Sequence, residues 1–246
     1  MRFLILSDLH ANLEATRSAA VDARARGYDR VVCLGDIVGY GANPNEVIDL
    51  LRSLEPSAIV RGNHDKVAAG LEEGDQFSEI ALAAAFWTRE TLTAENRDWL
   101  ASLPMGPIDA GGFFISHGTP IDEDAYLLSA DEAQLIFESM SFSLSFFGHS
   151  HFACSFHIWQ GEEPVVELLA GDECNLRIEE GGRYLVNPGS IGQPRDHNPR
   201  TAYAIYDQES SIVTVYRIPY DIAEAQRKIA ESGLPLPLAQ RLEFGI

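Results

Sequence analysis

Short apolar segments alternate with longer amphipathic ones at the start of the chain. Residues 3–6, 30–34 and 58–60 have the length and apolar character of strands that are buried on both faces. Residues 13–26 and 44–54, which lie between them, show the spacing of apolar side chains typical of helices. This alternation predicts a β-α-β-α-β unit whose strands are parallel and share one sheet.

The middle of the chain is helical, and its later part is rich in strands. Residues 77–103 have helical character, and their simplest interpretation is a pair of packing helices or a cap over one end of the sheet. Further strands are predicted at 112–116, 144–147, 153–160, 165–169, 183–186, 201–206 and 212–217, with helices at 130–140 and 222–232. No linker, repeat or low-complexity segment interrupts this order, so we predict a single domain over residues 1–246.

Polar residues recur directly after the predicted strands. An aspartate and a histidine, Asp8 and His10, follow the first strand, and Asp36 follows the second. The seven candidate ligands at five such strand ends are Asp8, His10, Asp36, Asn63, His117, His149 and His151. Because the carboxyl ends of strands in β-α units face one crevice, we expect these side chains to converge.

These side chains are oxygen and nitrogen donors suited to divalent ions such as Mn, Zn, Fe or Ni. One structural zinc needs four ligands, so the larger set favours two metal ions that share a carboxylate, about 3.5–4 Å apart. Taken singly, Asp8 or Asp36 could be a helix N-cap, and His117 an ordinary loop histidine. His149 and His151 share a face if the chain is extended there, which favours a metal. The recurrence at five strand ends favours the metal interpretation for the whole set.

The charge balance narrows the classes of partner. The 246 residues are 46% apolar, which is enough for a substantial core, and 18 Lys and Arg against 37 Asp and Glu give a formal net charge of −19. Such a surface repels nucleic-acid backbones and anionic membranes, so we expect neither as a partner. A phosphate-bearing substrate then requires a local positive centre, which bound cations would supply.

The cysteine count and the lack of targeting segments favour the cytoplasm. Cys33, Cys154 and Cys174 are few and far apart, and they indicate no disulfide framework. The sequence contains neither a secretory signal nor an apolar run of membrane-spanning length. We therefore expect a cytoplasmic protein with no membrane partner, while a homo-oligomer stays open as an alternative to a monomer.

The residues after the strands also form a series of short motifs. They are Asp8-Leu9-His10, Gly35-Asp36, Gly62-Asn63-His64-Asp65, His117 and Gly148-His149-Ser150-His151. In order and approximate spacing, the series resembles that of the calcineurin-like metallophosphoesterases. Asn187-Pro188-Gly189-Ser190 resembles a further motif of small prokaryotic members, so the resemblance extends over most of the chain. It implies an α/β (α+β) fold, a four-layer α-β-β-α sandwich with two mixed β-sheets.

The resemblance also implies how the ligands are divided. The first metal would be held by Asp8, His10, Asp36 and His151, and the second by Asp36, Asn63, His117 and His149, with Asp36 bridging the two. His64 would bind no metal and would face the scissile phosphate. Where protein phosphatases of the family carry an Asp and an Arg, this chain has Gly39 and Tyr40. The substitutions remove a phosphate clamp and a partner for His64, which counts against a dedicated phosphoprotein phosphatase.

Together these features predict a metal-dependent hydrolase of phosphodiesters, and of phosphomonoesters as well, that uses a hydroxide bridging the two metals. His64 would stabilise phosphoryl charge and could protonate the leaving group, with Asp65 as its orienter. A dinucleoside-polyphosphate hydrolase and a monoesterase of the protein phosphatase type are alternatives. A non-catalytic metal-binding scaffold is another, but it would require missing ligands, and none is missing.

Three further residues are candidates for contacts to a small phosphate-ester substrate. Asn12 lies at a helix start, where free N–H groups favour an anion, but it is equally well explained as an N-cap. Arg61 precedes the Gly-Asn-His motif and could reach a phosphate or pair with a surface acid. Arg195 follows the Asn-Pro-Gly-Ser turn and is a candidate for the pocket wall.

Overall fold

A computed structural model describes all of residues 1–246, which form twelve strands and eight α-helices. In chain order the strands are β1 (Arg2–Leu6), β2 (Arg30–Cys33), β3 (Ala58–Ile59), β4 (Ile108–Asp109), β5 (Phe114–Ile115), β6 (Leu144–Phe146), β7 (Ala153–Ile158), β8 (Val165–Leu168), β9 (Glu173–Arg177), β10 (Arg183–Pro188), β11 (Thr201–Asp207) and β12 (Ile212–Ile218). The helices are α1 (Leu13–Arg26), α2 (Pro44–Ser53), α3 (Asn63–Ala69), α4 (Glu79–Thr91), α5 (Ala94–Ala101), α6 (Ala130–Ser139), α7 (Ile222–Glu231) and α8 (Leu236–Gln240), followed by a 3₁₀ turn at Arg241–Glu243.

The strands form two six-stranded mixed sheets. Their order is β3-β2-β1-β11-β12-β9 in the first sheet and β4-β5-β6-β10-β7-β8 in the second. Strands β1, β2 and β3 are parallel, as the β-α-β-α-β pattern predicts, and β5, β6 and β10 are parallel in the second sheet. The loops that carry the predicted ligands follow parallel strands of both sheets at their carboxyl ends, where ligand sites of such sheets lie.

The alternation of side chains along β1 separates two hydrophobic layers. Leu4 and Leu6 belong to the cluster that packs against α1 and α2, whereas Phe3 and Ile5 belong to the cluster between the two sheets. On the outer face of the second sheet, Leu185 packs in a cluster with side chains of α6. The order helix, sheet, sheet, helix confirms the predicted four-layer α-β-β-α sandwich with two mixed sheets.

Four short elements are not predicted by the sequence pattern. Strand β9 lies at a sheet edge with most side chains exposed, so it lacks the apolar alternation of a buried strand. The two-residue strand β4 and the short helices α3 and α8 span too little sequence to show a period. Residues 77–103 contain two helices because α4 ends at Thr91 and Thr93 caps a new helix, accepting a hydrogen bond from the Asn96 N–H.

The helices from residues 77–103 pack in two different places. Ala84 of α4 belongs to a cluster with Ile229 of α7, Leu238 of α8 and Tyr40 of the loop after β2. Leu100 of α5 belongs to the core under α1 and α2. The pair is therefore a packing element, and α4 borders the ligand loops. The single-domain organisation stays a prediction, and no helix combines the length and hydropathy needed to cross a membrane.

Candidate metal centre

The predicted ligands lie together at the strand ends. Two follow β1, one follows β2, one follows β5 and two follow β6, while Asn63 begins α3 directly after β3. The exposed fractions are 0% for Asp8, 1% for His10, 1% for Asp36, 0% for His117, 5% for His149 and 1% for His151. Six ionisable side chains buried in one place require compensating partners, because an uncompensated charge or lone pair is costly away from water.

Five of these residues have left-handed backbone conformations. Their φ angles are 52° for Asp8, 47° for His10, 50° for Asp36, 66° for His149 and 62° for His151. The chain is therefore not extended at His149 and His151, and left-handed turns rather than the alternation of a strand bring these side chains inward. Such residues cost about 1–3 kcal/mol each in backbone strain, and they cluster at functional sites.

The side chains form two donor groups that share one carboxylate. The first contains Asp8, His10, Asp36 and His151, and the second contains Asp36, His117 and His149, with the donor atoms of each group within 4.8 Å of one another. The Oδ2 atom of Asp36 lies 3.5 Å from both His10 Nε2 and His117 Nε2. Asn63 joins the second group, since its Oδ1 lies 3.1 Å from His117 Nε2. This grouping coincides with the division that the family resemblance implies.

Backbone carbonyls fix the orientation of three histidine rings. The Nδ1 atoms of His10, His117 and His151 lie 3.1, 2.9 and 2.6 Å from the carbonyl oxygens of Val38, Leu34 and Gln193. A carbonyl only accepts, so each Nδ1 is assigned as the protonated donor, and in the neutral ring Nε2 then carries a lone pair. Carbonyl contacts of this kind are typical of the groups that orient metal-binding histidines.

The inward-facing nitrogens lie in close pairs. His10 Nε2 is 3.0 Å from His151 Nε2, and His117 Nε2 is 3.1 Å from His149 Nδ1. Two lone pairs at this distance repel each other unless a cation lies between them. Two nitrogens that bind one ion at about 2.0–2.1 Å are themselves roughly 3 Å apart, so the donor set fits metal ions.

Burial keeps most of the histidines in the form that binds metal. It lowers the pKa of His149 to about 3 and holds the pKa values of His10 and His151 well below the usual range, so these rings are neutral at pH 7. Burial opposes ionisation of Asp36. The nearby histidines, His117 first and then His64 and His10, nevertheless hold the pKa of Asp36 well below the usual range. Burial also opposes protonation of His117, yet Asp36 raises the pKa of His117 to about 10. A proton and a metal ion are thus alternatives at His117 Nε2.

His64 lies beside the donor groups without a partner on one nitrogen. It is 3% exposed, its Nδ1 has no hydrogen-bond partner, and burial lowers its pKa to about 4. Its ring centroid is 4.3 Å from that of Tyr40 and 4.6 Å from that of Phe77. A Cβ on Gly39, where φ is +90°, would lie 2.5 Å from His64 Nδ1. Aromatic rings therefore flank the imidazole of His64.

Asp65 does not orient His64, contrary to the sequence-based expectation. Its Oδ1 accepts hydrogen bonds from the N–H groups of Ile37 and Val38, and its Oδ2 accepts one from Gly62 N–H. The side-chain hydrogen bonds of Asp65 thus go to backbone N–H groups, and His64 Nδ1 has no hydrogen-bond partner. Asp65 therefore ties the start of α3 to the loop after β2, and its side chain positions the loop that contains Asp36.

The three candidate substrate contacts have different environments. Asn12 caps α1, accepting from Ala15 N–H at 3.1 Å and donating to the Gly192 carbonyl at 2.9 Å, so its N-cap interpretation describes the structure. Arg61 donates two hydrogen bonds to Glu123, at 2.9 and 3.1 Å, so it pairs with an acid. Arg195 lines the cleft above the donor groups.

That cleft has a volume of about 720 Å³ and is lined by side chains of both charges. Besides Asp36, its acidic side chains are Glu72, Asp75, Asp122 and Asp124, and its basic side chains are Arg195 and Arg241. The ring of Tyr126 lies over His149, with ring centroids 3.9 Å apart. Sequence reasoning misses Arg241, Tyr126 and Phe77 because none of them follows a strand, and no local signal brings them to the site.

Comparisons with known proteins identify the family. The calcineurin-like phosphoesterase superfamily domain matches residues 1–211. The chain therefore belongs to the calcineurin-like metallophosphoesterases, a family of phosphoesterases, and its buried Asp and His groups could bind metal.

Individual relatives extend over the full length of the chain. An uncharacterized protein of Methanocaldococcus jannaschii is 37% identical over 245 residues, which cover 98% of this chain and 97% of the relative. The crystal structure of a metallophosphoesterase from Sphaerobacter thermophilus is 39% identical, covers 100% of this chain and 99% of its own, and superposes with a TM-score of 0.86. A hypothetical protein of Pyrococcus horikoshii OT3, 20% identical with 100% and 98% coverage, has the same fold with a TM-score of 0.76.

Proposed function

We propose that this protein is a dinuclear-metal phosphoesterase that hydrolyses phosphodiesters, with phosphomonoesters as further substrates. The observation that carries the proposal is the two pairs of facing nitrogens, 3.0 and 3.1 Å apart, with Asp36 Oδ2 3.5 Å from one member of each pair. A divalent cation in each donor group would relieve the repulsion between His10 and His151, and would replace the proton between His117 and His149. Membership of a phosphoesterase family supports the same conclusion.

Two ions chosen from Mn, Zn, Fe or Ni fit the oxygen and imidazole donors. The first would be held by Asp8, His10, Asp36 and His151, and the second by Asp36, Asn63, His117 and His149. When bound, the ions would neutralise charge on the phosphoryl oxygens and activate a water molecule as the nucleophile. The carbonyl contacts of the histidine rings keep the donor atoms in place before the ions arrive.

His64 and Arg195 are the proposed contacts to the phosphate of the substrate. The neutral imidazole of His64 offers one N–H, which can donate to a phosphoryl oxygen or to the leaving oxygen. Arg195 donates to uncharged oxygens, Gln193 Oε1 at 3.1 Å and Tyr40 OH at 3.4 Å, and forms no ion pair with an acid. Its charge therefore stays available to an anionic substrate, in a chain whose net charge of −19 otherwise repels phosphate.

The proposed partner is thus a small phosphate ester. The acidic surface argues against non-specific nucleic-acid binding and against binding to anionic membranes. Cytoplasmic location and the choice between a monomer and a homo-oligomer remain expectations from the sequence.

Metal removal and ligand substitution test the proposal with bis-p-nitrophenyl phosphate as a generic diester. The purified protein should release p-nitrophenol, lose this activity in a chelator and regain it with one of the four metals. His149→Asn should lose one of two bound metals and roughly 10²-fold or more in rate. Asparagine tolerates the φ of 66° at this position, so the loss reports the missing imidazole rather than backbone strain.

His197→Asn is the matched control. His197 also has a positive φ, 61°, but it lies outside both donor groups, so this variant should keep both metals and full activity. Full activity of His149→Asn, or hydrolysis that survives complete metal removal, would contradict the proposal. Two metals per chain without turnover of monoesters, diesters, cyclic nucleotides or dinucleoside polyphosphates would point to a metal-binding scaffold instead.

A further inference from the structure

An apolar groove continues from the cleft on the side that carries Arg241. The groove has a volume of about 500 Å³. It shares Tyr40, Ser78, Ala81 and Arg241 with the cleft above the donor groups, so the two spaces adjoin each other. A molecule bound at the metal centre can therefore extend into the groove without leaving the protein surface.

The groove presents apolar side chains to solvent. Ile80, in the first turn of α4, is 39% exposed, and Phe244, just after the 3₁₀ turn, is 57% exposed. Leu238 of α8 also lines the groove and is 1% exposed. An exposed aromatic ring beside an isoleucine, next to a polar cleft, is typical of a site that holds a flat apolar ring.

Tyr40 lies between the metal centre and the groove. Its ring centroid is 4.7 Å from that of His10 and 4.3 Å from that of His64, and its hydroxyl is 3.4 Å from Arg195 Nη2. The same residue lines the groove. A phosphate held by the donor groups and Arg195 thus has a direct path past Tyr40 to Phe244.

The basic side chains of the cleft lie on the path to the groove. Arg195 contacts Tyr40, which lines both spaces, and Arg241 lines both spaces itself. The groove side carries Arg195 and Arg241, and Arg241 donates to Gln193 Oε1 at 3.2 Å, the same oxygen that accepts from Arg195. The two guanidinium groups therefore concentrate positive charge where the groove meets the cleft.

We propose that the groove binds one ester group of the substrate, an aromatic ring system of nucleobase size, so that the natural substrate class is nucleotide-type phosphodiesters. This inference rests on the proposed phosphoesterase function. Phe244 would stack on the ring and Ile80 would contact its edge, while Arg241 would face the adjoining phosphate. Every nucleobase has a flat face that can stack on an aromatic side chain. The groove therefore selects for a flat ring rather than for one particular base.

Two diesters with the same leaving group, which has no ring that could occupy the groove, test the inference: thymidine 5′-(2,2,2-trifluoroethyl phosphate) and methyl 2,2,2-trifluoroethyl phosphate, with release of trifluoroethanol followed by fluorine NMR. Phe244→Ala in the metal-loaded protein should lower kcat/KM for the thymidine ester roughly tenfold, mainly through KM, and leave the methyl ester unchanged. Phe244→Tyr should retain the wild-type preference. Leu168→Ala is a control at an exposed apolar side chain of β8, 70% exposed and outside cleft and groove, and should change neither substrate.

The outcomes separate the groove from the proposed function. Equal effects of Phe244→Ala on both esters, or no effect on either, would overturn the groove inference while hydrolysis remains. Failure of the metal-loaded wild type to hydrolyse either ester would overturn the proposed function. In that case calorimetric binding of thymidine 5′-phosphate decides the inference, because equal affinity of wild type and Phe244→Ala would overturn it and a roughly tenfold weaker variant would support it.

Discussion

Two clusters of acidic side chains border the same cleft, but only one of them surrounds a lysine. The metal centre combines Asp8 and Asp36 with inward-facing histidine nitrogens. The second cluster consists of Glu72, Glu123 and Asp124, whose carboxylate oxygens also lie within 4.8 Å of one another. Here Lys66 Nζ lies 3.0, 3.1 and 2.6 Å from the three carboxylates, where a metal ion would otherwise be expected.

The difference lies in what balances the acidic groups. The Lys66 side chain is 1% exposed, and although burial opposes its charge, Asp124 and Glu72 raise its pKa, so the ammonium stays protonated. In the candidate metal centre His10, His149 and His151 are neutral and contribute lone pairs, whereas the proton that His117 binds without a metal can be exchanged for a metal ion. Convergent carboxylates therefore indicate a metal site where histidines accompany them, and not where a lysine ammonium lies among them.

The substitution with the largest expected effect removes the shared carboxylate of the metal centre. Asp36→Asn should lower hydrolysis of bis-p-nitrophenyl phosphate roughly 10³-fold and lose at least one metal per chain, because Asp36 Oδ2 approaches histidines of both donor groups at 3.5 Å. Asparagine tolerates the φ of 50°. Metal analysis by mass spectrometry and initial rates measure the two effects.

Asp75→Asn is the control for Asp36→Asn, since Asp75 lines the cleft but belongs to neither cluster. It should keep both metals and nearly the full rate. If Asp36→Asn also retained two metals per chain, Asp36 would not be the shared ligand, and the contrast between the two clusters would lose its basis.

An intermediate effect is expected when the second cluster loses its cation. Lys66→Met keeps the buried side-chain volume but leaves three carboxylates facing one another, so the free energy of unfolding should fall by about 2 kcal/mol. This value is smaller than the roughly 3–5 kcal/mol lost when a fully buried ion pair is broken, because water screens Glu72 and Asp124, which are about half exposed. Urea unfolding of the metal-loaded wild type and variant measures the difference.

Millimolar Ca²⁺ tests whether a metal ion can replace the ammonium of Lys66 among the three carboxylates, because Ca²⁺ prefers oxygen ligands. It should raise the Tm of metal-loaded Lys66→Met and leave that of metal-loaded wild type unchanged. The same Ca²⁺ response in both proteins would mean that Lys66 does not take the place of a metal ion.

Much of the fold is predictable because its core strands are strongly patterned. The runs that become β1 and β2 are apolar on both faces, since one face packs on helices and the other on the second sheet. Edge strand β9 escapes prediction because its exposed residues obey no such constraint. The break between α4 and α5 depends on Thr93, and a single capping residue inside a long helical pattern is a weak local signal.

The convergence of the candidate metal ligands is also predictable, whereas the surroundings of the site are not. The seven donors follow strands that the pattern identifies, so strand topology alone brings them together. The part played by Asp65 depends on backbone N–H groups after β2, which no side-chain motif specifies. Phe77 and Arg241 reach the site through tertiary packing of α4 and the C-terminal segment, so their neighbours in sequence give no hint of it.

The smallest expected effect comes from trimming one exposed carboxylate of the second cluster. The carboxylate of Glu72 lies 3.0 Å from Lys66 Nζ, but its side chain is 49% exposed and water screens its charge. Glu72→Gln should therefore change the free energy of unfolding by at most about 0.5 kcal/mol. Glu123→Gln is the matched comparison: its side chain is 13% exposed and pairs with both Lys66 and Arg61, so its loss should be larger. Urea unfolding gives both values. Equal losses would show that Lys66 interacts evenly with all three acids, as a metal ion does, rather than chiefly with the most buried one.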